Sequence, residues 1–307
     1  MKIVVTGSAS TFAYALLPLL AADERIEQIV GADRRESAFD DARFTQVLVD
    51  PRSPQVAVVM TDMDAVVHLA AETVFDGAEE SGADAAREIN RAGTQNVFRC
   101  AAEKNVPCVV YLSSAAVYEL PARHRPITEQ HPRAALPGLA WAEDQVALEA
   151  WLDTFEREHP ELRVVRLRPH LMVGVHGSAL VRRLLRAPFS VRYAGRAPRL
   201  QCVHALDVAR AVQQALFRNV AGAFNLACAN SATLREMQRL NRAGLVPLSF
   251  SFAYRLARWT GRLHKGVAPS WMESLRHEVI LDTNRARRRL GWKPQYDSVQ
   301  ACLRAAD

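Results

Sequence analysis

Val5-Thr6-Gly7-Ser8-Ala9-Ser10-Thr11-Phe12-Ala13 decides how this chain is read. The apolar run Ile3–Val5 ends in a turn, and a helical pattern, Thr11–Leu20, follows at once. A strand, a turn and a helix in that order place backbone amides at a helix N-terminus, where a pyrophosphate binds. The glycine pattern is degraded, because only Gly7 stands while Ser10 and Ala13 occupy the two further glycine positions. Alanine is accepted at the third position. Serine at the second adds a side chain where backbone should approach phosphate. The turn alone fits a dinucleotide site or an ordinary strand-to-helix connection equally well.

Asp33, at the end of the next apolar run, favours the first reading. A carboxylate there accepts hydrogen bonds from a ribose 2′-hydroxyl, the NAD arrangement. Arg34 and Arg35 follow immediately, and guanidinium groups suit a 2′-phosphate. The cofactor expected is therefore NADP(H) or NAD(H), with the two arginines tilting towards NADP(H), unless they are simply solvated surface residues.

Outward from this turn, apolar runs recur at Gln28–Gly31, Val47–Val49, Ala65–Leu69, Cys108–Leu112 and Arg163–Leu167. Helical patterns lie between several of them, including Ala85–Glu103 and Trp141–Glu158. Runs without polar alternation, separated by helices, indicate a parallel sheet covered on both faces. The fold class is α/β, a doubly wound, Rossmann-like sheet. A dinucleotide-binding domain is expected over residues 1–168 and a smaller interleaved substrate lobe over 169–307, with about 200–228 returning to the main domain. The run Phe224–Ala227 is the strand expected to make that return.

At 307 residues, 49% hydrophobic and 23% charged, the chain can bury a large core and is not of disordered composition. No apolar run approaches the roughly 20 residues of a membrane span, and MKIVVTG does not read as a signal peptide. The expectation is a cytoplasmic protein with no membrane partner. Only four of its 39 basic residues are lysines, leaving 35 arginines. They are spread along the chain rather than clustered with aromatics, so a GC-rich genome explains them better than a nucleic-acid partner. Cys100, Cys108, Cys202, Cys228 and Cys302 show no metal-ligand spacing, and no metal site is expected.

Several segments, in order, resemble the extended short-chain dehydrogenase/reductase family, which contains nucleotide-sugar epimerases, dehydratases and many ketoreductases. Thr6-Gly7 opens the turn and Asp33 ends the second strand. Val49-Asp50 resembles the adenine-contacting segment, and His68-Leu69-Ala70-Ala71 the segment lining the adenosine side. Asn90 with Gly93-Thr94 resembles the helix-four asparagine motif. Ser113-Ser114-Ala115-Ala116-Val117-Tyr118 resembles the active-site strand, and Arg168-Pro169-His170 the stretch under the nicotinamide. Leu290-Gly291-Trp292-Lys293-Pro294 is similar to a common family ending. The resemblance implies cofactor contacts from Gly7, Ser10, Thr11, Phe12, Asp33, Arg34, Arg35, Asp50, Leu69, Ala70, Ala71, Asn90, Ser113 and Pro169. It also implies a homodimer through the two helices flanking strands four and five.

One departure bears on mechanism. The family pairs a tyrosine with a lysine four residues later on the helix after strand five, and those positions hold Trp141 and Gln145. None of Lys2, Lys104, Lys265 and Lys293 follows a tyrosine at that spacing. An indole donates a hydrogen bond but does not ionise near neutrality, so Trp141 cannot act as acid or base. The loss falls hardest on oxidation, which needs a base. Reduction needs only that a developing alkoxide be stabilised, which Ser114 can do, and that a proton arrive. Water, an acidic group on the substrate, or a histidine could supply it; His170 and His204 are candidates, as is Tyr118. His124 and His131 lie in the loop after strand five.

The expected activity is an NAD(P)H-dependent ketoreductase acting on a bulky, aromatic or polyketide-like small molecule, as in antibiotic biosynthesis and other secondary metabolism. Phe250, Phe252, Tyr254, Trp259 and Trp271 either line such a pocket or form the lobe's own core. The alternatives are a catalytically inactive dinucleotide-binding sensor or assembly protein, and a nucleotide-sugar epimerase or dehydratase with a displaced base.

Overall fold

The sheet is built from β1 (Lys2–Thr6), β2 (Gln28–Asp33), β3 (Phe44–Leu48), β4 (Ala65–His68), β5 (Cys108–Leu112), β6 (Arg163–Pro169) and β7 (Gly222–Leu226). All pairings are parallel and the order is β7-β6-β5-β4-β1-β2-β3. This is the doubly wound α/β architecture expected. The computed structural model describes residues 1–69, 86–122, 126–187, 189–241, 245–261 and 269–305.

Side chains alternate across the sheet as strand geometry requires. Ile3 and Val5 join a core with the helices Ala13–Ala21 and Ala205–Phe217. Val4, Val66 and Val109 join the opposite core, under the helices Thr94–Glu103 and Ala140–Glu158. Both faces are covered, which is why these strands read as continuous apolar runs. β3 departs from that pattern. It starts at Phe44, three residues before the apolar run, because it is the sheet's edge and tolerates Thr45 and Gln46. The helix expected from Ala85 is interrupted by a wider turn, Ile89–Gly93, where Gly93 passes Pro51 so closely that a Cβ would lie 3.2 Å from its ring.

A third apolar cluster sits beyond the carboxyl ends of β5 and β6, built from Val181, Leu184, Met237, Met272, Leu275 and Cys302 among others. Asp207 ties the chain's end to the main body. Its fully buried carboxylate accepts from the amides of Gln295 and Tyr296, while Trp292 Nε1 donates to its carbonyl oxygen. No described helix is long and apolar enough to cross a membrane.

Candidate active site

Strand order reverses direction between β1 and β4, because consecutive strands run outward from β1 to β3 and then from β4 to β7. In such sheets ligands bind in the crevice at the carboxyl ends of the strands beside that switch. Gly7, Asp33, Leu69, Ser113, Ser114 and His170 all follow or end those strands.

Gly7 has φ of +77°, the left-handed region that favours glycine, and the turn it makes leads into the Ala13–Ala21 helix. Ser10 Oγ folds back to accept from Ala13 N at 3.3 Å, so the added side chain braces the helix start instead of projecting freely. Phe12 provides no side-chain cap at that helix terminus. The turn is held from outside by Asp33, whose two carboxylate oxygens accept from Ala9 N and Arg35 N, each at 3.0 Å. A hollow over the turn is lined by Gly7, Ser10, Asp33, Arg34 and Arg35, and closed by Val49, Pro51 and Ile89. A positive-φ glycine leading into a helix N-terminus, beside an apolar slot, suits a dinucleotide's pyrophosphate and adenosine.

Past Ser10 opens a cavity of about 390 Å³. Thr11, Phe12, Leu69, Ser113 and Pro169 line its inner end, together with Ser114, Tyr118, Trp141, Gln145 and His170. The expected site residues thus converge, with exceptions. Asp50 turns away to a two-point ion pair with Arg52, leaving its neighbours Val49 and Pro51 in the slot. Asn90 is buried against the Asp144 carboxylate, where it anchors a helix and does not reach the hollow. His204 accepts from Leu206 N at the start of the Ala205–Phe217 helix and packs against Tyr296 with the rings tilted, and it does not line the cavity. Ala70, Ala71 and His124 lie outside the described residues.

The three proton donors weighed from sequence do not suit that task. Tyr118 donates to Asn225 Oδ1 at 2.5 Å and accepts from Arg168 at 2.9 Å, and burial pushes its hydroxyl up to about 12. Burial pushes His170 down to about 4, so the imidazolium needed to give up a proton is scarcely populated at neutral pH. His204 is a helix cap, itself pushed down by burial. Ser114 remains. Its Oγ accepts from Ala116 N at 3.1 Å, which fixes the hydroxyl at the cavity wall and leaves its proton to donate.

Beneath the cavity lies a polar assembly that sequence reasoning missed. Glu149, fully buried, accepts from Ser113 Oγ at 2.6 Å, Arg168 Nη2 at 2.5 Å, and Arg166 and Arg133 Nη1 at 3.1 and 3.2 Å. It is one helical turn from Gln145, whose Oε1 accepts from Tyr111 at 2.7 Å. The assembly locks the Ala140–Glu158 helix onto β5 and β6, and so sets where Trp141 stands. His68 is likewise structural, held between the Thr6 and Thr94 hydroxyls and pushed down to about 3 by burial.

Of the five aromatics in the 250–271 segment, Trp271 lines the cavity and stacks on Trp141 at 6.0 Å. Phe250 and Tyr254 pack into the third cluster, while Phe252 and Trp259 are exposed. Cys202, Cys228 and Cys302, far apart in sequence, bring their sulfurs within 4.8 Å of one another. Cys228 and Cys302 donate to the carbonyl oxygens of Asn230 and Tyr296.

Residues 3–227 match the model of the NAD dependent epimerase/dehydratase family. The chain belongs to that family. It is 28% identical to an uncharacterised protein of Mycobacterium tuberculosis, over 97% of this chain and 81% of that one. Among solved structures it is similar in fold to the UDP-N-acetylglucosamine 4-epimerase of Methanobrevibacter ruminantium in complex with UDP-N-acetylmuramic acid. The TM-score is 0.77 at 18% identity, covering 99% of this chain and 96% of that one. The UDP-glucose 4-epimerase of Thermus thermophilus, solved with NAD, gives 0.73 at 20% identity over 99% and 98%.

Proposed function

We propose that this family member is an NAD(P)H-dependent reductase of a carbonyl on a bulky, uncharged, largely apolar small molecule. The observation that carries the reading is the cavity wall. Among the described residues it contains no Asp, Glu, Lys or Arg. A nucleotide-sugar brings a diphosphate that must be met by cations or amides. Of the helix starts in the wall, the one at Ala179 is already capped by Ser178, whose Oγ accepts from Val181 N. An apolar ligand needs no such partners.

Gly7, Ser10, Thr11 and Asp33 would hold the dinucleotide, with Arg34 and Arg35 placed at the hollow's edge for a 2′-phosphate. The chemistry a reduced nicotinamide held there would supply is a hydride for the carbonyl carbon, the alcohol being completed by a proton at the oxygen. Ser114 donates a hydrogen bond to that oxygen as charge develops on it. The proton itself comes from water, from an acidic group of the substrate or from a histidine other than His170, such as His176 in the same wall, since neither Tyr118 nor His170 suits that task.

A nucleotide-sugar epimerase is the second reading, favoured by the family match. Fluorescence titration with NADPH and NADH, followed by cofactor consumption against a panel of polycyclic aromatic ketones and UDP-glucose, separates the two. Oxidation of NADPH by an aromatic ketone, with NADPH bound more tightly than NADH, is expected. Binding of UDP-glucose with no turnover of any ketone would sink the reductase reading.

A further inference from the structure

The polar atoms around the cavity are mostly matched within the protein. Tyr118 is bonded to Asn225 and Arg168, Ser113 to Glu149, and Gln145 Oε1 to Tyr111. Two are different: Trp141 Nε1 and His170 Nε2 are buried and have no hydrogen-bond partner among the described residues, and of the two only the indole nitrogen is always a donor. A buried N–H left unmatched is costly, and native proteins rarely keep one without a reason. Trp141 lines the same cavity as Ser114, and its helix packs directly on the short turn Ala115–Val117 that Ser114 opens. The indole is held by its stack on Trp271, and the helix by Glu149 below. It is therefore a positioned donor in a wall that, among the described residues, carries no Asp, Glu, Lys or Arg.

We propose that Trp141 Nε1–H is a ligand-binding group, donating a hydrogen bond to an acceptor oxygen on an apolar ligand. Within the reductase reading, on which the choice of ligand rests, that oxygen is the carbonyl that Ser114 also addresses. The indole has no proton to release at neutral pH, so it fixes the oxygen without exchanging a proton with it. The wall then favours a largely apolar ligand with one well-placed acceptor. A buried donor discriminates strongly against the isostere that lacks the acceptor, because the donor is then left unmatched.

The test uses the full chain saturated with NADP⁺ and two matched probes, 9-fluorenone and fluorene, which differ in a carbonyl. Equilibrium dialysis is expected to give fluorenone affinity about tenfold above fluorene in the native protein. W141F is expected to bring the two affinities together by weakening fluorenone alone. Replacing the Trp141 indole by the isosteric benzothiophene, which keeps the packing and removes only the N–H, is expected to do the same and covers the case where W141F does not fold. W271F, which removes the stack, is expected to weaken both probes.

An unchanged fluorenone preference in W141F or the benzothiophene protein overturns the proposal, as does equal weakening of both probes. Failure of both probes to bind overturns it together with the apolar-ligand reading. A carbonyl preference that depends on Trp141, with no NADPH consumed on any ketone, sinks the reductase reading and leaves the Trp141 assignment standing.

Discussion

At the scale of single residues, the chemistry narrows to a few groups because the fold has already committed the others. Tyr118, His170 and His204 are each the right residue type for a proton donor, and burial or prior hydrogen bonding removes each from that role. Ser114 keeps its hydroxyl proton because the lone pair, not the proton, caps the following turn. Removing one donor to a developing oxyanion costs about 10²–10³-fold in rate. S114A is thus expected to lower kcat by about 10²-fold on an accepted ketone while leaving the dissociation constant of NADPH unchanged. Steady-state kinetics beside a fluorescence titration read both. A fall in NADPH affinity with kcat retained would instead place Ser114 with the cofactor.

Among the elements, the Ala140–Glu158 helix carries the most consequence. It holds Trp141 and Gln145 at the cavity and Glu149 in the assembly that fixes both. Burial raises the Glu149 carboxyl, but hydrogen bonds from Arg168 and the charges of Arg168 and Arg166 overcome it and hold the group at about 2, against an ordinary 4.5. A carboxyl depressed on folding stabilises the native state above its unfolded value and loses that contribution as pH falls towards the folded one. The difference corresponds to roughly 3 kcal/mol, present above about pH 4.5 and lost by about pH 2.

E149Q leaves Arg166 and Arg168 buried without that charge, which costs on the order of 3–5 kcal/mol. Urea unfolding at pH 7 is expected to show the loss, and a much smaller gap between variant and native protein is expected near pH 2. Equal destabilisation at both pH values would mean that packing, not charge, is what the substitution disturbs. The sequence showed this helix and the missing tyrosine–lysine pair, since both depend on short spacings. It did not show the assembly beneath, because Arg168 and Glu149 lie 19 positions apart and meet only when β6 pairs with β5. Nor did composition distinguish these arginines from solvated ones. An arginine surplus read as genome bias includes at least Arg166 and Arg168 as buried structural cations.

Across the whole molecule, the cavity belongs to two bodies of structure at once. Ser10, Thr11, Phe12 and Leu69 come from the sheet's switch point, and Leu184, Trp271, Leu275 and Val279 from the cluster beyond the carboxyl ends of β5 and β6. The inner wall is therefore made by the same turn that would carry the dinucleotide. A nicotinamide laid along Thr11 and Phe12 would add an apolar surface to that wall. Ligand and cofactor should then favour one another, and such coupling is reciprocal by thermodynamic necessity. Fluorenone is expected to bind about tenfold more tightly with NADP⁺ present than without it, and NADP⁺ to gain the same factor when fluorenone is added. Calorimetric titrations run in both orders measure the two factors, whose equality is the internal check. If the cofactor leaves fluorenone affinity unchanged, the apolar ligand sits in the outer part of the cavity, away from Ser114, and its carbonyl is not in reach of reduction.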